Sequence, residues 1–226
     1  MWRRRRVTAI ILAAGSSSRM GGSENKMYAP LGGLPLLQYT LEAFDRHPAV
    51  DALILTARPA ETERTRALLD TMALAKPYRI VSGGETRQAS VRQALALIKT
   101  PVVIVHDGAR PFISHEHISA CLDALHHHQG AILALPLEEP IYRAPTKKQG
   151  PVRFTETLFA VQTPQCFYTK ILKRCHKKHE THPGVTDDSS LLELEGHRVG
   201  VVTGDSRNFK ITTPLDLSLA QAYIER

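Results

Sequence analysis

Short apolar runs alternate with longer amphipathic stretches along most of this chain. Val7–Leu12 has the length and composition of a fully buried strand, and residues 52–57, 78–81, 101–106, 130–136 and 197–202 read the same way. Between them the apolar positions change to helical spacing. Leu37, Leu41 and Phe44 share one face within 35–47, and Val91, Leu95 and Ile98 share another within 87–98. Residues 61–75, 114–128, 168–179 and 186–195 extend the helical set, the last stopped by Gly196. Thr213 and Pro214 supply a cap and a first position for a closing helix. Strand followed by helix, repeated, predicts a mainly parallel sheet covered on both faces, a three-layer α/β sandwich of Rossmann-like form. At 226 residues the chain fits one such domain, 1–226, better than two.

The alternation breaks at residues 138–159. Pro140, Pro145 and Pro151 punctuate a basic segment with short β-like pieces at 141–143 and 152–155. The segment reads as a protruding β-arm, with a plain surface hairpin as the alternative.

Composition changes the picture in three places. No apolar run approaches the ~20 residues of a membrane helix, so a soluble protein is expected and no membrane partner. The net charge of +7 raises the question of nucleic acid, but the basic residues are scattered apart from 3–6 and 170–182, and aromatics do not interleave with them. A small anionic substrate accounts for the charge instead. The three cysteines, Cys121, Cys166 and Cys175, form no C-x-x-C pair, which points to a reducing, cytoplasmic setting. Residues 1–14 imitate a secretory leader, yet cleavage after Ala13 or Ala14 would remove the first strand. His176, His179 and His182 beside Cys175 invite a zinc reading, which the surrounding lysines oppose.

The first strand ends abruptly in Ala13-Ala14-Gly15-Ser16-Ser17-Ser18-Arg19, and Lys26 follows. Small residues let backbone N–H groups approach a polyanion, serines add donors, and Arg19 and Lys26 add charge, so the spacing argues for phosphate chemistry. Neither the G-x-x-x-x-G-K-[ST] nor the G-x-G-x-x-G pattern is present. On the loop alone, an ordinary surface loop with solvated charges stays open. Asp107, at the end of the most strand-like run, stands where parallel sheets place ligand-binding groups and reads as a ligand for magnesium. Capping the turn through Gly108 and pairing with Arg110 is its other reading.

Five segments carry a resemblance: residues 12–44 with the small-residue loop, Gly83-Gly84-Glu85-Thr86-Arg87-Gln88-Ala89-Ser90-Val91, Val105-His106-Asp107-Gly108-Ala109-Arg110-Pro111, Gln162-Thr163-Pro164-Gln165, and Asn208-Phe209-Lys210-Ile211-Thr212. In this order they resemble the 2-C-methyl-D-erythritol 4-phosphate cytidylyltransferases nearly end to end. The resemblance implies CMP transfer from CTP to a polyol phosphate with release of pyrophosphate, a divalent cation, and a homodimer interlocked through the 138–159 arm. It implies nucleotide contacts from Ala13, Ala14, Gly15, Gly84, Glu85, Ser90 and Gly108, and metal binding by Asp107. Arg19 and Lys26 match its transition-state residues, and Lys210 and Thr163 its acceptor-phosphate residues.

Two positions depart from the family pattern. Thr155 stands where the family has an arm arginine, and Pro140 where it usually has threonine. Arg153, two residues before Thr155 and on the same face of a strand, is the candidate substitute. Ribitol 5-phosphate cytidylyltransferases share the same motifs, and a non-catalytic nucleotide-binding protein is the alternative from another class.

Overall fold

The computed structural model describes residues 1–16, 20, 25–143, 152–154, 156–180, 182 and 185–225. In chain order the elements are β1 (Val7–Leu12), β2 (Pro30–Leu31), β3 (Leu34–Pro35), α1 (Leu36–Arg46), β4 (Ala52–Ala57), α2 (Thr62–Met72), β5 (Tyr78–Ser82), α3 (Arg87–Leu97), β6 (Val102–Asp107), α4 (His115–Asp123), β7 (Gly130–Pro136), β8 (Tyr142–Arg143), β9 (Val152–Arg153), β10 (Phe159–Tyr168), α5 (Thr169–Lys178), α6 (Asp188–Leu194), β11 (Val199–Thr203) and α7 (Pro214–Ile224).

Seven strands form one sheet in the order β11-β7-β10-β6-β1-β4-β5. Parallel pairing joins β5, β4, β1 and β6. A second parallel pair, β7 and β11, is joined to them by β10, antiparallel to both its neighbours. Apolar residues on alternate positions of the central strands serve two cores, as a sheet buried on both faces requires. Ala9, Ile11 and Ile104 pack with Leu37, Leu41 and Phe44 of α1 and with Ile118 and Leu122 of α4. Ile10, Leu12, Val103 and Val105 pack with Val91 and Leu95 of α3, Leu172 of α5 and Leu191 of α6. Burying a side chain such as Phe44, fully inaccessible here, contributes about 1.5–3 kcal/mol.

Helix starts follow the caps written in the sequence. The side chains of Thr86, Ser114 and Asp187 each accept a first-turn N–H of α3, α4 and α6. Thr213 and Asp216 form a reciprocal capping box at α7 with Pro214 at its first position.

The structure departs from the hydropathy pattern in several elements. The helix expected over 61–75 stops at Met72, because Ala73 turns left-handed (φ 47°) and the N–H groups of Ala75 and Lys76 donate to Asp45. The helix expected over 114–128 loosens after Asp123 into a 3-10 turn over Ala124–His126. The largest omission is β10, ten residues long, which the sequence pattern did not predict. Pro164 and the polar Gln162, Thr163 and Gln165 interrupt its alternation, and the pairing with β7 shifts register between Gln162 and Gln165. A proline inside a run argues against a central strand, yet here the register shift absorbs it.

Within 138–159, β8 and β9 pair antiparallel, Phe154 N–H donates to Ile141 C=O and Leu137 N–H to Leu158 C=O. Tyr142, Phe154 and Phe159 on this excursion are exposed.

Candidate active site

The loops leaving the carboxyl ends of β1, β5 and β6 meet around an open cleft of about 320 Å³. Ala13 N–H is anchored to Thr56 C=O at 3.0 Å, and Gly83 N–H to Ala57 C=O at 2.8 Å, so both glycine turns hang from β4. They also touch each other. A Cβ on Gly83 would lie 2.2 Å from Ala14 Cβ, and one on Gly84 would lie 2.5 Å from Ala89 Cβ. Only glycine allows this approach, and it leaves the backbones of Ala14, Gly15 and Ser16 facing Gly84 and Glu85 across the cleft.

Ser90 holds the second turn in place: its Oγ accepts Gly84 N–H at 3.0 Å and donates to Thr86 C=O at 3.0 Å, while the residue also lines the cleft. Ala13 and Gly108 are buried behind the wall rather than on it. Gly108 N–H donates to Leu12 C=O at 2.9 Å, tying the ends of β1 and β6, and the next residue, Ala109, lines the cleft.

Lys26 opens a 3-10 turn, Lys26–Tyr28, capped by Asn25, whose Oδ1 accepts Met27 N–H at 3.1 Å. Asn25 Nδ2 in turn donates to Glu61 Oε2 at 2.6 Å, and Tyr28 Oη meets Thr65 Oγ1 at 2.8 Å. The start of α2 therefore grips the turn that carries Lys26 into the cleft.

Lys210 arrives from the segment after β11. Asn208 fastens that segment to β10, donating to Thr163 C=O at 2.9 Å and to Gln162 Oε1 at 3.2 Å, and Ile211 N–H donates to Ala109 C=O at 2.9 Å. Lys210 Nζ thereby comes to 2.7 Å from Asp107 Oδ2.

Asp107 is the last residue of β6, and its carboxylate has three cations around it. Besides Lys210, Arg87 Nε is 3.5 Å from Oδ1 and Arg110 Nε 3.8 Å from Oδ2. Burial alone would push the Asp107 carboxyl up, but the charges of Arg87 and Lys210 outweigh it and hold the group well below the usual carboxylate range. Asp107 stands at the strand end on the cleft, and the turn reading is met: Arg110 N–H donates to Asp107 C=O at 3.0 Å and the Arg110 guanidinium flanks the carboxylate.

Thr163 does not line the cleft. Its hydroxyl is buried behind Asp107, accepting Asp107 N–H at 3.0 Å and lying 3.1 Å from His106 Nδ1. Arg19 and Thr155 lie outside the described residues, and Arg153 stands on β9. His176, raised with zinc in mind, instead meets Asp188 at 2.9 Å, and His179 meets Glu195 at 2.6 Å.

Two contributors went unassigned in the sequence. Arg87 lines the cleft and also reaches Asp188, 2.6 Å from its Oδ2. A signal existed, since a cation on the first residue of a helix opposes the helix dipole and needs a local carboxylate. The second is Asp188, and the adjacent pair Asp187-Asp188 hinted at it, because a helix needs only one of them as its cap.

With Lys26, Arg87, Arg110 and Lys210 against Asp107 and Glu85, the cleft and its wall favour a polyanion. Asp107 offers one hard oxygen ligand beside it. A divalent ion that takes its remaining ligands from phosphate and water, as magnesium does, would fit that donor set.

Comparison with known proteins identifies the family and the fold. The family model for IspD, 2-C-methyl-D-erythritol 4-phosphate cytidylyltransferase, matches residues 7–226. The chain belongs to this family. The cytidylyltransferase of this name from Bacillus velezensis is 38% identical over 219 residues, covering 96% of this chain and 94% of the relative. Among solved structures, the 4-diphosphocytidyl-2C-methyl-D-erythritol synthase of Anaerococcus prevotii superposes with a TM-score of 0.87 at 30% identity, covering 98% of this chain and 97% of that one. A bifunctional IspDF from Campylobacter jejuni shares the fold over 94% of this chain but only 53% of its own, with a TM-score of 0.79 at 25% identity. Among the described residues no helix is long and apolar enough to cross a membrane.

Proposed function

We propose that this IspD-family cytidylyltransferase joins the CMP of CTP to 2-C-methyl-D-erythritol 4-phosphate, giving 4-diphosphocytidyl-2-C-methyl-D-erythritol and pyrophosphate, a step toward isoprenoid precursors. The observation that carries this reading is the convergence of Lys26, Asp107 and Lys210, from three distant segments, on one cleft roofed by two touching glycine turns.

A phosphate monoester has its second pKa near ~6, so the attacking oxygen is ionised at neutral pH and no general base is required. The barrier lies in bringing this dianion to the α-phosphorus of a triphosphate and in stabilising the leaving pyrophosphate. Backbone N–H groups of Ala14 and Gly15 face the triphosphate, and Gly84, Glu85 and Ser90 take the cytosine ring. Lys26 and Arg19 meet the charge that grows on the α-phosphate and the departing oxygen. Lys210 exchanges its bond to Asp107 for the acceptor phosphate. Asp107 would hold magnesium, which supplies charge neutralisation to the triphosphate when bound. Thr163 contributes from behind, by fixing Asp107.

A homodimer fits the arm, because Tyr142 on β8 and Phe154 just after β9 are exposed where a second copy would cover them. Arg153 is our candidate to serve the partner's acceptor phosphate in place of the arm arginine that Thr155 does not supply. The whole of 1–226 acts as one domain in this reading, and its three unpaired, buried cysteines suit the cytoplasm. Pyrophosphate release from CTP, measured with methylerythritol phosphate and with ribitol 5-phosphate in turn, tests the assignment. Turnover with the first and little with the second is expected; the reverse would move the chain to the ribitol enzymes, and release with neither would refute the activity.

A further inference from the structure

Behind the Asp107 wall lies a buried charged chain that the reaction as described does not use. Arg87 joins two buried carboxylates, with Nη1 2.6 Å from Asp188 Oδ2 and Nε 3.5 Å from Asp107 Oδ1. Asp188 is the first residue of α6 and only 1% exposed. Its other oxygen lies 2.9 Å from His176 Nε2 of α5, and its backbone N–H donates to Gln165 Oε1 of β10 at 3.2 Å. Neither Asp188 nor His176 lines the nucleotide cleft. Stability is a weak reason for such a chain, because apolar residues of matching volume often replace a buried ion pair without loss.

The asymmetry around Asp107 supplies a better one. Its nearest cation is Lys210, at 2.7 Å and with a side chain 36% exposed on the cleft, so it is placed to swing toward a phosphate. Arg87 is less exposed and is tethered at its far end. A buried carboxylate that loses its nearest counter-charge tends to follow it, unless another cation stays behind to hold it.

We propose that Asp188, backed by His176, is a positioning residue for the transfer: it holds Arg87 where the guanidinium keeps Asp107 in place while Lys210 serves the acceptor phosphate. The proposal rests on the function assigned above. With Asp188 neutral, the guanidinium loses the shorter of its two ion pairs, and Asp107 is held less firmly once Lys210 turns to the acceptor. Because Lys210 serves the acceptor and not the nucleotide, the defect should fall on one substrate.

The test is steady-state kinetics of Asp188→Asn in both substrates, with CTP affinity measured by calorimetry without acceptor and folding followed by thermal melting. The expected result is a fall of roughly tenfold or more in kcat/KM for the acceptor, with the Kd for CTP within about threefold of wild type. His176→Leu should move the acceptor constants the same way, and His176→Gln, whose amide can still donate to Asp188, should restore them. The double variant Arg87→Met/Asp188→Leu removes both charges; it should melt close to wild type and still handle the acceptor poorly.

Folded Asp188→Asn with wild-type acceptor kinetics would overturn the proposal, as would a double variant that recovers kinetics along with stability. A loss confined to the fraction of folded enzyme, with both Michaelis constants unchanged, would overturn it too. Should Asp188→Asn fail to fold, the His176 pair decides: His176→Leu kinetically equal to wild type would refute the chain. Wild-type enzyme assayed alongside separates the two levels, since absence of turnover there would overturn the assigned function instead.

Discussion

Replacing Thr163 by valine keeps the shape of a buried side chain and removes one hydroxyl that serves two neighbours. Its Oγ accepts Asp107 N–H at 3.0 Å and lies 3.1 Å from His106 Nδ1. His106 Nε2 lies 3.1 Å from Arg110 C=O, which can only accept, so the ring proton sits on Nε2 and Nδ1 receives the threonine proton. Burial pushes His106 down to about 3, so the ring is neutral at pH 7 and keeps this tautomer. In the valine variant a buried N–H and a buried ring nitrogen both lose their partner, at about 1–3 kcal/mol each. Added apolar contact offsets part of this, leaving a net loss of about 2–4 kcal/mol. For a chain of this size that corresponds to a fall in Tm of roughly 5–15 °C. Thermal unfolding at pH 7 measures it, with Thr163→Ser as the control that keeps the hydroxyl. A valine variant melting within about 2 °C of wild type, or above the serine variant, would refute the relay and the tautomer inferred from it.

Lys26→Ala should lower kcat far more than it weakens CTP binding, because the charge it meets grows in the transition state; near-normal kcat would remove it from the mechanism. Gly83→Ala should raise the KM for CTP by tenfold or so, since the added methyl would sit 2.2 Å from Ala14 Cβ and must push the two turns apart; unchanged CTP kinetics would show that the turns part freely. His47 is buried, and burial lowers it to about 4 from an unfolded value of about 6.5. The unfolded chain therefore binds the extra proton first, and stability should be level above about 6.5 and fall as pH drops toward 4. Buried Asp107 and Asp188, both held low, add their loss only below the ordinary carboxylate range. Melting curves of wild type and His47→Gln between pH 7 and 4 check this, and equal slopes would exclude His47 as a source.

The centre of the parallel sheet was legible because β1, β4 and β6 are buried almost throughout and read as nearly unbroken apolar runs. β10 was hidden because its middle, Gln162 to Gln165, is polar and broken by proline; those side chains serve Asn208, Asp187 and Asp107 rather than a core. In the site, Lys26, Asp107 and Lys210 could be picked out by motif and by their places at strand ends, and the structure brings them onto one wall. Thr163 was singled out for the acceptor, but its hydroxyl turns inward to Asp107 N–H and His106, and no one-dimensional pattern tells a hydroxyl facing a cleft from one facing inward behind it. Arg87 and Asp188 are joined across 101 positions of sequence, and no local periodicity connects them.

β10 is made after both of the strands it separates. β6 and β7 carry apolar residues suited to pairing with each other, and a growing chain that let them do so would close the sheet over the slot β10 must enter. Premature pairing would thus trap the chain short of its native topology, and contacts this distant in sequence make folding slow. The same insertion delivers Thr163 to Asp107 and the anchor for Asn208, and hence Lys210. Completion of the sheet and assembly of the reactive centre are therefore one event, so a partly folded chain has no half-working site with which to consume nucleotide.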